Sequence, residues 1–136
     1  MRLVIGGYAQ GKLHYVLKKY ELTQASVQEA ENCLSSMDAA AAGGTAEQEP
    51  VVVVNHLHRW TRREIEAGRE PELELEAFLR RVPDCILICD EIGSGIVPMD
   101  AKEREWRERT GRIMTRLAQN AESVERVICG IGQILK

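Results

Sequence analysis

Seven residues near the N-terminus, Gly6-Gly7-Tyr8-Ala9-Gln10-Gly11-Lys12, carry the spacing GxxxxGK. Glycines so placed let backbone N–H groups converge on phosphate oxygens, the N-terminus of a following helix adds partial positive charge, and Lys12 supplies a point charge. The chemistry is the holding of a nucleoside triphosphate. A Ser or Thr normally follows the lysine and lends its hydroxyl to Mg²⁺; here Leu13 follows and has no ligand atom. Phosphate binding survives that change more easily than metal placement does. A glycine turn used only for tightness is the plainer alternative, and placement between a strand-like run and a helical one favours phosphate.

Asp90 and Glu91 form the second group, where the apolar run Cys85-Ile86-Leu87-Ile88-Cys89 ends. A carboxylate at the mouth of a buried strand can hold Mg²⁺ through water or polarise a nucleophile; it can also be a solvated strand end. Arg109, Arg112 and Arg116 make a helical stripe that can meet phosphate or substrate, or pair with Glu105 and Glu108 as a solvated face. Of the histidines, His14 lies nearest the glycine loop, where a solvent-facing helical side chain is expected. His56-x-His58 offers too few ligands for zinc, with no nearby Cys or carboxylate to complete a set, so no structural metal is expected.

Several elements must position these groups. Arg2 to Ile5 reads as a short buried strand, and Leu13, Val16, Leu17 and Tyr20 fall at i, i+3, i+4, i+7 of a helix. Ser26 and Glu29 suit a capping box for a helix with apolar Val27, Ala30, Leu34 and Met37, and residues 39–50 read as a mobile surface loop. Val51 to Val54 predicts a buried strand and about His56 to Ala67 a polar helix; Pro71 opens another with Leu73, Ala77 and Phe78 inward. Cys85 to Cys89 is the most apolar strand. After the loop at 93–98, a helix from about Ala101 to Ala121 turns Trp106, Thr110, Ile113 and Leu117 to the core. Two short strands flank Gly130-Ile131-Gly132 and suit antiparallel pairing. The alternation implies an α/β fold over residues 1–136: a mostly parallel sheet of about five strands, helices on both faces, the last strand antiparallel, and ligands at the carboxyl ends of the strands.

Composition narrows the function classes. At 136 residues the chain suits one domain, and no apolar run reaches the ~20 residues of a membrane span. A net charge of -3 argues against a general nucleic-acid partner. The basic residues gather at 102–116, six against three acids, whereas residues 21–50 carry six acids and no base. Met1-Arg2-Leu3-Val4-Ile5 leads straight into a strand, with no secretory signal pattern, which points to the cytoplasm. The four cysteines include no CxxC pair and are expected reduced, with Cys85 and Cys89 buried on one sheet face.

The stretch Asp90-Glu91-Ile92-Gly93-Ser94-Gly95-Ile96-Val97-Pro98, followed by Trp106-Arg107, Gly111-Arg112, Arg116-Leu117-Ala118 and Gly130-Ile131-Gly132, resembles the C-terminal half of the adenosylcobinamide kinase / adenosylcobinamide-phosphate guanylyltransferase family. The N-terminal glycine loop fits the same family. The resemblance implies a P-loop NTPase-like domain that binds ATP or GTP with Mg²⁺ and acts on an adenosylcobinamide-type corrinoid, phosphorylating its aminopropanol arm and then attaching GMP. It also implies a symmetric homo-oligomer. The positions that match the family are Gly6, Gly7, Gly11, Lys12, Glu91, Gly93, Gly95, Pro98, Arg107, Arg112 and Arg116; with the strand-end reading above, Lys12, Asp90 and Glu91 are the catalytic candidates, Asp90 and Glu91 the Mg²⁺ candidates, Gly6, Gly7, Tyr8, Ala9, Gln10, Gly11, Lys12 and Leu13 the nucleotide loop, and Arg107, Arg112 and Arg116 the substrate or phosphate contacts. Three departures stand out: Leu13 for the loop Ser, Asp90 for the family's usual Asn, and a shortened middle. Members that transfer GMP use a middle-region histidine as nucleophile, and residues 21–50 contain none. The kinase step is therefore expected over guanylyl transfer, and a nucleotide-binding homologue that acts as regulator or subunit is the alternative.

Overall fold

The computed structural model describes residues 1–34 and 51–136. Six strands form one sheet in the order β2-β3-β4-β1-β5-β6. They are β1 (Arg2–Gly6), β2 (Val27–Glu29), β3 (Val52–Asn55), β4 (Cys85–Asp90), β5 (Ser123–Ile128) and β6 (Ile131–Ile134). Neighbours pair parallel except β5 with β6, whose antiparallel hairpin agrees with the turn glycines. Helices α1 (Lys12–Lys19), α2 (Ala30–Cys33), α3 (Leu57–Glu66), α4 (Pro71–Arg81) and α5 (Ala101–Asn120) cover the two faces. None is long and apolar enough to cross a membrane.

Alternation along the central strands assigns each helix to a face. Val4, Val53, Ile86 and Ile88 pack with Val16 of α1 on one side. Leu3, Val54, Cys85, Leu87 and Cys89 face the other, against Trp60 of α3, Leu75 and Phe78 of α4, and Ile113 and Leu117 of α5. Cys85 and Cys89 thus share a face as expected, and burial pushes both thiols up to about 12. Cys129 is exposed, in a left-handed turn residue between β5 and β6.

The helix expected from Ser26 to Met37 is a correction. Gln24–Ser26 form a single 3₁₀ turn, Val27–Glu29 become β2, and only Ala30–Cys33 is helical. Val27 pairs with Val53 and Glu29 with Asn55, so ladder hydrogen bonds at an open sheet edge outweigh a local capping pattern. This supplies the sixth strand. Met37 and the loop expected at 39–50 lie outside the described residues. Leu73, expected inward, is exposed, because Leu75 and Phe78 set the buried stripe of α4 and Leu73 lies two residues out of phase with it.

Candidate functional site

β1 and β4 are neighbours, and Gly6 stands opposite Asp90 where both strands end. The helix after β1 lies on one face of the sheet and that after β4 on the other, the arrangement that opens a crevice at the carboxyl edge. Gly6 is required sterically, since a Cβ there would collide with the carbonyl oxygen of Val127. Gly11 caps α1 in the left-handed region at φ 79°. Gln10 ties the loop to the β5–β6 turn: its carbonyl accepts from Gly130 N at 2.9 Å and its Oε1 from Cys129 N at 2.6 Å. Gly7, Tyr8 and Ala9 arch between these anchors, with Tyr8 exposed and Ala9 left-handed. Leu13 is half-buried against the α1 face of the sheet and acts as a packing residue.

Lys12 is buried at 7% exposure, and its Nζ bonds the Gly7 carbonyl at 2.7 Å and Asp90 Oδ1 at 2.6 Å. An ammonium taken out of water needs such a carboxylate, and here the pair lies against the glycine loop, through the Gly7 carbonyl. Asp90 is held from behind by His58. The Asp90 N–H donates to His58 Nδ1 at 3.2 Å, which leaves the neutral ring's proton on Nε2, 3.7 Å from Asp90 Oδ2. Burial pulls the His58 pKa down to about 4, against the opposing pull of Asp90. The His58 carbonyl is itself fixed, accepting from Trp106 Nε1 at 2.9 Å and Thr61 Oγ1 at 2.8 Å.

Glu91 turns away from Lys12. Its N–H donates to the Gly6 carbonyl at 3.0 Å, and its carboxylate accepts from Arg126 of β5 at 2.9 and 3.2 Å. Arg107, at the start of α5, reaches the edge and donates to the carbonyls of Ile96 and Ser94, fixing the loop that follows β4. Arg109, Arg112 and Arg116 do not join this group. Arg109 pairs with Glu70 and Glu72 and Arg116 with Glu76, from α5 across to α4 and its leading residue, and Arg112 pairs with Glu108 on α5 itself. The structure therefore joins Lys12 to Asp90, sets Asp90, Glu91 and Arg107 around one cleft, and leaves Arg112 and Arg116 apart.

Two groupings were missed in the sequence. One is His58, discounted as a metal ligand and found as the support of Asp90. The other is Glu29, which accepts from His56 Nδ1 at 2.7 Å and from Asn55 Nδ2 at 3.3 Å, where β2 and β3 end at the same edge. His14 is exposed on α1. Histidine directly after a β-branched strand was the available signal for both, since strand ends in such sheets face the crevice. Among the described residues no three His, Cys, Asp or Glu side chains group as a metal cage. Mg²⁺ that accompanies a nucleotide needs only one or two carboxylates beside phosphate and water; the Asp90 carboxylate stands at the strand end beside Lys12, whereas that of Glu91 is turned to Arg126.

A family model described as cobinamide kinase / cobinamide phosphate guanyltransferase matches residues 27–135, beginning beyond the glycine loop. The bifunctional adenosylcobalamin biosynthesis protein CobU of Salmonella typhimurium is 34% identical over 84 residues, 60% of this chain and 46% of that protein. Its counterpart in Escherichia coli is 34% identical over 79 residues, 57% of this chain and 44% of that protein. The matches span less than half the length of these curated relatives.

Proposed function

The chain belongs to the cobinamide kinase / cobinamide phosphate guanyltransferase family, and on that premise we propose that it is a nucleotide-dependent transferase of cobalamin biosynthesis, binding ATP or GTP at Gly6 to Lys12. The observation that carries this reading is the buried Lys12 ammonium, held by the Gly7 carbonyl and Asp90 beneath an arched glycine loop. An incoming triphosphate offers Lys12 better acceptors than the Gly7 carbonyl, because hydrogen bonds between ionised partners are the stronger ones. The loop's N–H groups, at the head of α1, take the remaining phosphate charge. Asp90, with Glu91 beside it, would hold the Mg²⁺ that enters with the nucleotide and offsets phosphate charge.

Of the family's two reactions we assign the phosphoryl transfer. The acceptor alcohol oxygen bonds to the γ-phosphorus as the bond to the β,γ-bridging oxygen breaks, and the alcohol proton passes to Asp90. This asks for positioning and charge stabilisation, which Lys12, Asp90 and the loop supply. Guanylyl transfer through a covalent adduct asks for a nucleophile in line with the α-phosphate, and residues 21–50 hold no histidine. Product analysis after incubation with adenosylcobinamide, Mg²⁺ and ATP or GTP tests the assignment. The expected product is adenosylcobinamide phosphate, with no GMP adduct on protein denatured after exposure to α-labelled GTP. An adduct on His14, His56 or His58 overturns the choice of reaction. Leu13 favours a second reading, a nucleotide-binding homologue serving as regulator or subunit; triphosphate binding without any product would select it.

A further inference from the structure

We infer that the β5–β6 hairpin presets the glycine loop for its anionic ligand and that Gln10 is the positioning residue through which it does so; the inference deepens the functional reading above and rests on it. Between Gly7 and Gly11, Gln10 is the side chain committed to the protein. Tyr8 and Ala9 are exposed at the apex, whereas Gln10 is half-buried and its Oε1 accepts from Cys129 N at 2.6 Å in the hairpin turn. Chemistry fixes that orientation of the amide, since a backbone N–H needs an acceptor and only the oxygen can serve. The Gln10 carbonyl accepts from Gly130 N at 2.9 Å, so one loop residue makes two bonds to one turn. Packing follows the same line. A Cβ on Gly6 would collide with the Val127 carbonyl, one on Gly11 would meet Gly130 Cα at 3.5 Å, and one on Gly132 would collide with the Tyr15 ring of α1.

These ties dictate where the loop's donors point. In a planar trans peptide unit the C=O of one residue and the N–H of the next are directed oppositely. The carbonyls of Gly6, Gly7 and Gln10 are taken by Glu91 N, Lys12 Nζ and Gly130 N. The N–H groups of Gly7, Tyr8 and Gly11 are therefore turned away from those partners, and among the described residues no protein acceptor meets them. Successive N–H groups held free in one arrangement suit phosphate oxygens. A loop cut loose from the hairpin samples other arrangements, and the ligand must then select the competent one, which lowers the apparent affinity.

The test uses Gln10→Met in the full chain, which keeps the length of the side chain and removes the acceptor, with the same exchange at the exposed Gln119 of α5 as control. In the ligand-free Gln10→Met protein the amide proton resonance of Cys129 should move upfield, the signature of a lost hydrogen bond. Affinity for ATP and GTP by calorimetry should fall about threefold to tenfold, the worth of one hydrogen bond, and stay at the parent's value in Gln119→Met. Saturating ATP should bring the Gly7, Tyr8 and Gly11 amide resonances of the variant to their places in the liganded parent, because the bound form of the loop is the same. A Cys129 resonance that stays in place overturns the role of Gln10. So does a Gln10→Met protein that binds both triphosphates like the parent, or an equal fall in Gln119→Met. A parent that binds neither triphosphate brings down the functional reading instead.

Discussion

Lys12 at the sheet edge and Arg112 and Arg116 on α5 are all cations beside carboxylates, and their surroundings are opposite. Lys12 and Asp90 are 7% and 11% exposed, whereas Arg112 and Glu108 are 66% and 70% exposed. A pair open to water gains little from its Coulomb attraction and is screened by salt. A buried pair depends on each partner, and removing one leaves a desolvated charge behind. The contrast separates a cation desolvated against its partner from cations left in water on a helix surface, a distinction that residue type and helical spacing alone do not make.

The largest effect should come from Asp90→Ala, which strands the Lys12 ammonium and is expected to cost about 3–5 kcal/mol of folding stability in urea denaturation. A loss no greater than that of a surface substitution would erase the contrast. Lys12→Ala should weaken triphosphate binding by about 1.5–3 kcal/mol in calorimetry, the worth of a hydrogen bond to a charged group. Unchanged affinity would remove the loop from the site.

pH sharpens the same comparison. His58 has a folded pKa of about 4, below its ordinary 6.5, so between those values the unfolded chain binds the extra proton. Stability should therefore rise with pH from 4 to 6.5, and His58→Gln should flatten that rise in melts across the window. Glu125 acts lower down. Burial works to raise its pKa, but hydrogen bonds from Lys19, Tyr15 and Tyr20 outweigh it and hold the value below the usual glutamate range. Its contribution is complete above the unfolded value and is lost as pH falls through the folded one. The smallest effect is expected for Arg112→Ala, under about 0.5 kcal/mol of stability with triphosphate affinity unchanged. A marked fall in affinity would return that arginine to the site.

The turn chemistry of Gly6 to Lys12, the β-branched run at 51–54 and the apolar run at 85–89 made the parallel sheet and its glycine loop legible, because strand period and glycine placement are local properties. β2 was not legible. Three residues that pair at an edge carry no period of their own, and Ser26 and Glu29 mimic a cap. The two strand-end carboxylates, Asp90 and Glu91, were found as a pair and could not be ranked in sequence. His58 was visible as a histidine, but its partner is a backbone N–H 32 residues away.

The sequence by itself determined that a glycine loop follows a buried strand and that two carboxylates end another such strand. The tertiary structure alone decided which carboxylate meets the lysine. Gly6 stands opposite Asp90 where β1 and β4 end, so the Asp90 carboxylate reaches Lys12 of α1 and His58 of α3, while Glu91, one residue past the strand, pairs with Arg126 of β5. That outcome depends on the register between strands far apart in the chain, which core packing sets and local spacing does not encode.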